Sequence, residues 1–370
     1  MNDSRITSIQ RAERLLAVGN RTPGGVLLAP LVPLAHLYGL AMRARAALYA
    51  QGLLRQQALP CRVISVGNLT VGGTGKTPVV IALAAALRNR GRKVGVISRG
   101  YKRRSGTSIL EISDGRTVRG HPEDSGDEPF LIAQRCPGVP VAVGADRPLV
   151  GRYLLDGFGV DTLVLDDGFQ HLALRRDMDI LVLDACAPFG NGYLLPRGRL
   201  REPLSAMERA SAVLVTRASQ AQRLDELKAT VRAVAPAVPI WITDFAPSAV
   251  VQVGGSAAVE PSALKGERVL AVSGIGNPES FRRLLAAAGA TVADHCVFPD
   301  HHAYSEDNLG RIQRSAELVG ADRIVTTEKD AVKLAQLDEV KNRKVTMWAV
   351  RIDLQWLEGF EEWTRVVLQS

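Results

Sequence analysis

Short apolar runs alternate along this chain with longer stretches of helical spacing, and that alternation predicts its architecture. Val63–Val66, Lys93–Ser98, Pro140–Val143, Thr162–Asp166, Ile180–Leu183 and Ala212–Thr216 read as buried strands. Between them, the residues from Pro78 to Leu87 and from Phe130 to Arg135 have helical spacing. Strands alternating with helices in this way predict an α/β fold with a doubly wound, mostly parallel sheet. The composition changes after residue 217. A helix at Leu224–Val234 and strands near Ile240 and Val250 lead to a second, smaller α/β unit. That unit runs from Arg268–Gly276 through a helix at Pro278–Ala288 and a strand and turn at Arg323–Asp330, ending near Trp348. Leu354–Leu368 has helical spacing and is expected to pack back on the first unit. The expected organisation is a helical segment at 1–55, a core at 56–217, a smaller α/β domain at 218–350 and a C-terminal helix at 351–370.

The first segment departs from this pattern. Residues 1–20 are polar and helical in spacing, with no apolar run suited to a signal peptide. Residues 26–42 are the most apolar window of the chain, broken by Pro30 and Pro33 and carrying His36. A bilayer span needs about 20 apolar residues, so a clean transmembrane helix is not expected. A helix from Pro33 with Leu34, Leu37, Tyr38 and Ala41 on one face fits better, followed by Arg43, Arg45 and Arg55. That face either lies on an anionic lipid surface or packs on its own domain.

The 370 residues are 46% hydrophobic and 23% charged, as in a folded globular protein with room for two domains. Cys61, Cys136, Cys186 and Cys296 lie far apart, which offers no zinc or disulfide framework and fits a reducing compartment. The net charge of +8 favours an anionic partner. Its basic residues are scattered, and no nucleic-acid-binding signature directs that charge to DNA or RNA.

The chemistry starts after the first strand. Thr70-Val71-Gly72-Gly73-Thr74-Gly75-Lys76-Thr77 is a glycine-rich turn between a strand and a helix, where backbone N–H groups wrap a phosphate chain. Lys76 would reach the β/γ-phosphates and Thr77 would bind Mg²⁺. Thr70 stands where the usual phosphate-loop pattern has glycine. Downstream, an apolar strand ends in Asp166-Asp167, with Gln170 and His171 within one turn, which places carboxylates for Mg²⁺ at the ligand-binding edge of the sheet. Neighbouring strand residues point opposite ways, so the two aspartates share a partner only if the strand ends between them. Asp127 suits either an acceptor-orienting base or an N-cap, and Arg147 either an arginine clamp or a surface residue. Asp300-His301-His302 makes a poor zinc site; a histidine there could instead tune an aspartate base.

Together, Gly67–Pro78, Ser98–Tyr101, Gly126–Pro129, Gly144–Arg147, Asp166–His171, Leu195–Gly198, Phe298–His301 and Thr327–Asp330 closely resemble the tetraacyldisaccharide 4′-kinase family of lipid A biosynthesis. The resemblance implies transfer of the ATP γ-phosphate to the 4′-hydroxyl of tetraacyldisaccharide 1-phosphate, giving lipid IVA. It also implies an N-terminal segment on the cytoplasmic face of the inner membrane, and neither nucleic acid nor an obligate protein partner. By motif, residues 70–77 would hold ATP, while Thr77, Asp166, Asp167, Gln170 and Glu202 would surround Mg²⁺. Asp127 would be the base, supported by His301, and Arg147, Glu128 and His171 would position acceptor or phosphate. The main rival is a membrane-associated partitioning or maturation ATPase. Such loops commonly carry a second lysine just before the paired glycines, where this chain has Val71.

Overall fold

The structure, a computed structural model, describes residues 28–100, 106–342 and 345–368. The helical expectation for residues 1–20 and Tyr101 at the end of the Ser98–Tyr101 motif lie outside the described residues.

Strands β1 (Arg62–Gly67), β2 (Val94–Ser98), β3 (Leu110–Asp114), β4 (Pro140–Val143), β5 (Thr162–Asp166), β6 (Met178–Asp184) and β7 (Ala212–Thr216) form the first half of one continuous sheet. Its order is β7-β6-β1-β5-β2-β4-β3, parallel apart from the β3 edge. The inner parallel strands are mostly apolar and buried because both faces are covered, whereas the antiparallel edge strand β3, Leu-Glu-Ile-Ser-Asp, is only partly buried. Helices α1 (Val32–Ala50), α2 (Lys76–Asn89), α3 (Asp127–Arg135) and α4 (Arg147–Phe158) also belong to this half. The chain winds outward from β1 to β2, and β5 then returns between those two strands before β6 crosses to the other side. That reversal puts the carboxyl ends of β1 and β5 side by side, where ligands of open α/β sheets bind.

Two long strands join the halves. β8 (Ile240–Gln252) and β13 (Met347–Glu358) pair antiparallel, from Trp348 opposite Gln252 to Glu358 opposite Ile242. At about 3.3 Å per residue this ribbon is roughly 40 Å long. The first half joins it through β7 against the start of β8, at Val213–Val215 and Ile240–Ile242. The two-residue strand β9 (Ala258–Val259) pairs with the end of β8; the second half holds β10 (Arg268–Ser273), β11 (Thr291–Val297) and β12 (Arg323–Thr327), and joins through β12 against the start of β13. The halves therefore attach at opposite ends of the ribbon and run in opposite directions. Their carboxyl ends converge on its middle, and the site lies there.

Helix α1 docks through Ala35 and Gly39, which are buried, while Leu34, Leu37 and Leu40 are exposed. Part of the expected apolar face, Leu34 and Leu37, thus points outward, while Tyr38 turns inward and donates to the Arg201 carbonyl at 2.8 Å. Close approach explains this orientation. A Cβ at Gly39 would sit 2.6 Å from Leu194 Cδ1, so only small residues fit against the loop beneath. No helix among the described residues is long and apolar enough to cross a membrane.

The C-terminal expectation needs correcting. Leu354 to Glu358 is not helical but completes β13, and a short helix begins only at Phe360. Ile352, Leu354 and Trp356 alternate with Asp353 and Gln355, a period of two that pairing with β8 rewards. Beyond it, Trp363 and Val367 join the cluster of Val80, Leu83 and Leu87 on α2.

Candidate active site

A cavity of about 1320 Å³ opens between the two sets of carboxyl ends. It is lined from the first half by the glycine-rich loop, Ser98, Asp127, Glu128, Arg147, Asp166, Asp167, Gln170 and His171. The second half contributes Gly276, Asp300, His301 and Lys329, and Phe245 and Ile352 belong to the ribbon.

The loop from Val71 to Gly75 is braced from beneath. Asn68 donates to Thr74 Oγ1 at 3.0 Å, and Thr216, at the end of β7, donates to the Thr74 carbonyl at 3.0 Å. Gly75 has φ +81°, and a Cβ there would lie 2.5 Å from the Phe245 ring, so both conformation and space demand glycine. The backbone of Gly73 meets no atom within 4 Å on its Cβ side and faces open space. Thr70 explains the departure from the usual loop pattern. It is buried, pairs with Leu200 in an isolated bridge and is not left-handed, so its position needs no glycine. It lies under the loop rather than on the cavity wall, unlike the other loop residues.

Lys76 and Thr77 open helix α2 at the cavity floor. Lys76 Nζ lies 3.4 Å from Asp167, which also takes both its oxygens within 2.9 Å of Arg201. Burial alone would raise the Asp167 carboxyl; the charges of Lys76 and Arg201 outweigh it and hold the group at about 2. Strand β5 ends at Asp166, and Asp167 adopts φ +54°. This left-handed turn, at a cost of roughly 1–3 kcal/mol, brings both carboxylates to one wall. Asp166 is different in kind. It accepts from Ser98 Oγ at 2.7 Å, but its buried Oδ1 has no partner among the described residues. Burial, then the charges of Glu128 and Asp167, push it up to about 7. A buried carboxylate oxygen with no donor, in a cavity also lined by a second carboxylate and by Thr77, is a set that fits a hard divalent cation.

Gln170 and Glu202 take other places. Gln170 Nε2 donates to the Asn68 carbonyl and to Glu202, both at 2.9 Å, and Glu202 also accepts from Arg209 at 2.7 Å. Glu202 is buried below the cavity wall and does not line it. Its contacts make it an anchor for Gln170. His171 lines the cavity near Arg147, and burial followed by the charges of Arg147, Arg176 and Arg45 lowers its ring to about 4. Arg147 is buried at the start of α4, donating to the carbonyls of Gly144 and Ala145 at 3.1 Å, so it is no ordinary surface arginine.

Asp127 is the first residue of α3, with Gly126 at the N-cap, so the N-cap reading does not apply. His301 Nδ1 lies 3.0 Å from each of its carboxylate oxygens, and Lys333 Nζ lies 3.3 Å from Oδ2. Burial would push this carboxyl up, but the His301 hydrogen bond and the charges of Lys329 and Lys333 hold it far below the carboxylate range. His302 faces elsewhere, stacked on Phe298 with its Nε2 2.8 Å from Asn308. The two rings at 301 and 302 thus point to different partners rather than to a shared site. Sequence reasoning assigned no role to Ser98, Arg201, Asp300, Lys329 or Lys333. Lys329 stood inside a quoted motif and Arg201 beside Glu202, so proximity to those motifs was the available signal.

The model of the family described as tetraacyldisaccharide-1-P 4′-kinase matches residues 27–369. A tetraacyldisaccharide 4′-kinase of Anaeromyxobacter sp. (strain Fw109-5) is 46% identical over 345 residues, 92% of this chain and 91% of that one. Another from Syntrophus aciditrophicus (strain SB) is 43% identical over 300 residues, 79% and 80% of the two chains. Among solved structures, LpxK from Aquifex aeolicus in complex with ATP superposes with a TM-score of 0.72 at 31% identity. That match covers 93% of this chain and 99% of the other. A family match across nearly all of the described residues leaves the partitioning-ATPase reading without support, and the chain belongs to the tetraacyldisaccharide-1-phosphate 4′-kinase family.

Proposed function

We propose that this chain transfers the γ-phosphate of ATP to the 4′-hydroxyl of tetraacyldisaccharide 1-phosphate, forming the 1,4′-bisphosphate. The observation that carries the reading is the facing of two machineries across one cavity. The glycine-rich loop with Lys76 and the Asp127–His301 pair line the same cavity, which supports binding of nucleotide and acceptor together.

The loop N–H groups and Lys76 would bind the phosphate chain, at a helix N-terminus that favours negative charge. Thr77, Asp166 and Asp167 would hold Mg²⁺, which neutralises phosphate charge when bound. Gln170, tethered by Glu202, would orient that wall rather than bind directly. Phosphoryl transfer passes through a loose transition state, so the acceptor hydroxyl needs alignment more than early deprotonation. Asp127 suits that task. Held ionised, it accepts the hydroxyl proton through a hydrogen bond and takes it fully only as the new P–O bond forms. Arg147 and His171 lie on the first-half wall near α1, placed to orient the sugar or its 1-phosphate, and Glu128 helps to set the charge of the acceptor side.

We also propose that the chain works at the inner surface of the cytoplasmic membrane. The exposed Leu34, Leu37 and Leu40 on α1, followed by Arg43, suit contact with acyl chains and anionic headgroups. Gln170 and His171, on the cavity wall, sit beside the inner face of the same helix, where Arg45 donates to the Gln170 carbonyl.

The test is product structure. Purified protein with ATP, Mg²⁺ and tetraacyldisaccharide 1-phosphate in detergent should yield a lipid whose second phosphate, located by ³¹P–¹H correlation, is an ester at the 4′ position. ATP consumption with no phosphorylated lipid would refute the reading.

A further inference from the structure

Lys329, the second residue of the helix Glu328–Leu334, reaches into the acceptor side of the cavity. Its ammonium carries three protons and meets three acceptors: Glu128 Oε1 at 3.0 Å, Asp300 Oδ1 at 3.1 Å and His301 Nε2 at 3.2 Å. An ammonium only donates. Burial would lower this group, but the carboxylates of Glu128, Asp300 and Asp127 outweigh it and hold the lysine charged well beyond its ordinary range. His301 Nε2 must therefore present its lone pair to Lys329. The ring proton is left on Nδ1, the atom 3.0 Å from both oxygens of Asp127.

We propose that Lys329 is a positioning residue that holds His301 in the neutral, Nδ1-protonated tautomer, making the ring a fixed hydrogen-bond donor to Asp127. The consequence for catalysis rests on Asp127 being the acceptor-side carboxylate, as proposed above; the tautomer itself does not.

The surroundings of the ring are fully charged. Asp127 and Glu128 face it from α3, Lys329 and Lys333 from the helix after β12, and Asp300, whose Oδ1 is 3.9 Å from Nε2, from its own turn. The turn aims the ring through a left-handed His301, φ +60°, whose N–H donates to the Gly274 carbonyl. Asp330, fully buried, accepts from Gly274 N at 2.9 Å and from Thr327 Oγ1 at 2.7 Å, which locks that turn to the lysine-bearing helix. A second proton on His301 would set two cations head to head at Nε2. With Nε2 facing the lysine, the ring meets Asp127 as a donor through Nδ1.

Replacing Lys329 by methionine removes the donor that faces Nε2 at 3.2 Å, so the ring is no longer confined to the Nδ1–H tautomer. The experiment is long-range ¹H–¹⁵N spectroscopy of the full chain labelled in its six histidines, with His301 assigned from the spectrum of His301→Gln. Wild type should show the neutral Nδ1–H tautomer at pH 7. In Lys329→Met the same ring should lose that pure Nδ1–H signature. The variant's kcat should fall about tenfold with little change in KM for lipid. Lys329→Gln, which offers an acceptor as well as a donor, provides the same readout should the methionine variant fold poorly. An Nε2–H tautomer or an imidazolium in wild type at pH 7 overturns the proposal, as does a lysine variant that keeps the wild-type Nδ1–H signature. Absence of lipid phosphorylation would refute the proposed function, yet the wild-type spectrum would still decide the tautomer.

Discussion

Replacing Asp127 by asparagine should abolish most turnover while leaving substrate binding close to wild type. The carboxylate lies inside the wall, its two oxygens shared between His301 Nδ1 at 3.0 Å and Lys333 at 3.3 Å. Asparagine preserves the shape and one acceptor but takes up no proton, and its amide group would face a donor. A positioned base typically contributes 10²–10⁴-fold, which corresponds to about 3–5 kcal/mol of transition-state stabilisation. The loss should fall on kcat rather than KM, because the interaction strengthens only as the acceptor proton leaves. The carboxyl is held below its ordinary range, so it is ionised both above and well below neutral pH. Its contribution is present above the ordinary carboxylate value of about 3.9 and is lost only as pH falls through the lower folded value. The deficit of the variant should therefore be the same at pH 6 and at pH 9. Losing one partner of a buried charge pair also costs stability, about 3–5 kcal/mol, so thermal melting must confirm a folded variant before rates are compared. Steady-state transfer with lipid concentration varied measures both constants. A folded Asp127→Asn protein with kcat within threefold of wild type would refute the acceptor-side role.

Other consequences are equally specific. Gly75→Ala combines φ +81° with a Cβ 2.5 Å from Phe245, and should abolish nucleotide binding measured by calorimetry while the chain still folds. Asp166, raised to about 7, binds its proton more tightly in the folded state than in the unfolded one. The stability it lends is present below the ordinary carboxylate value and lost as pH rises through 7, so without Mg²⁺ the wild-type melting temperature should drop between pH 5 and pH 8. Asp166→Asn should flatten that decline, which is worth at most a few kcal/mol; equal slopes would contradict the assignment. Leu34→Ser, Leu37→Ser and Leu40→Ser combined remove about 1.5–3 kcal/mol of membrane burial each. The triple variant should lose sedimentation with anionic vesicles yet keep its activity in detergent, and unchanged sedimentation would argue against a lipid-facing α1.

What the chain revealed unaided was the chemistry carried by neighbours in sequence. The glycine-rich turn and the Asp-Asp pair declare themselves because each needs only a strand, a loop and a few fixed residue types. Asp167 illustrates the limit. Alternation along a strand sends it away from Asp166, and only the left-handed turn at the strand end brings the two together. The Asp127–His301 pair follows from the family motif, but Lys329 and Lys333 become visible only when the β8–β13 ribbon sets the carboxyl ends of both halves face to face. For α1 the sequence left the choice open. Apolar spacing marks a stripe without saying whether it meets protein, and Ala35 and Gly39, small enough for close approach, were the docking signal. In the last segment, aromatic residues at helical spacing concealed the period-two alternation that makes β13 a strand.

The most direct measurement is transfer of labelled γ-phosphate from ATP to tetraacyldisaccharide 1-phosphate in detergent, with wild type beside Lys76→Ala. A labelled bisphosphorylated lipid from wild type, and at least a hundredfold less from the variant, is the expected result. Labelled inorganic phosphate without labelled lipid in wild type, or equal transfer by both proteins, would contradict the account.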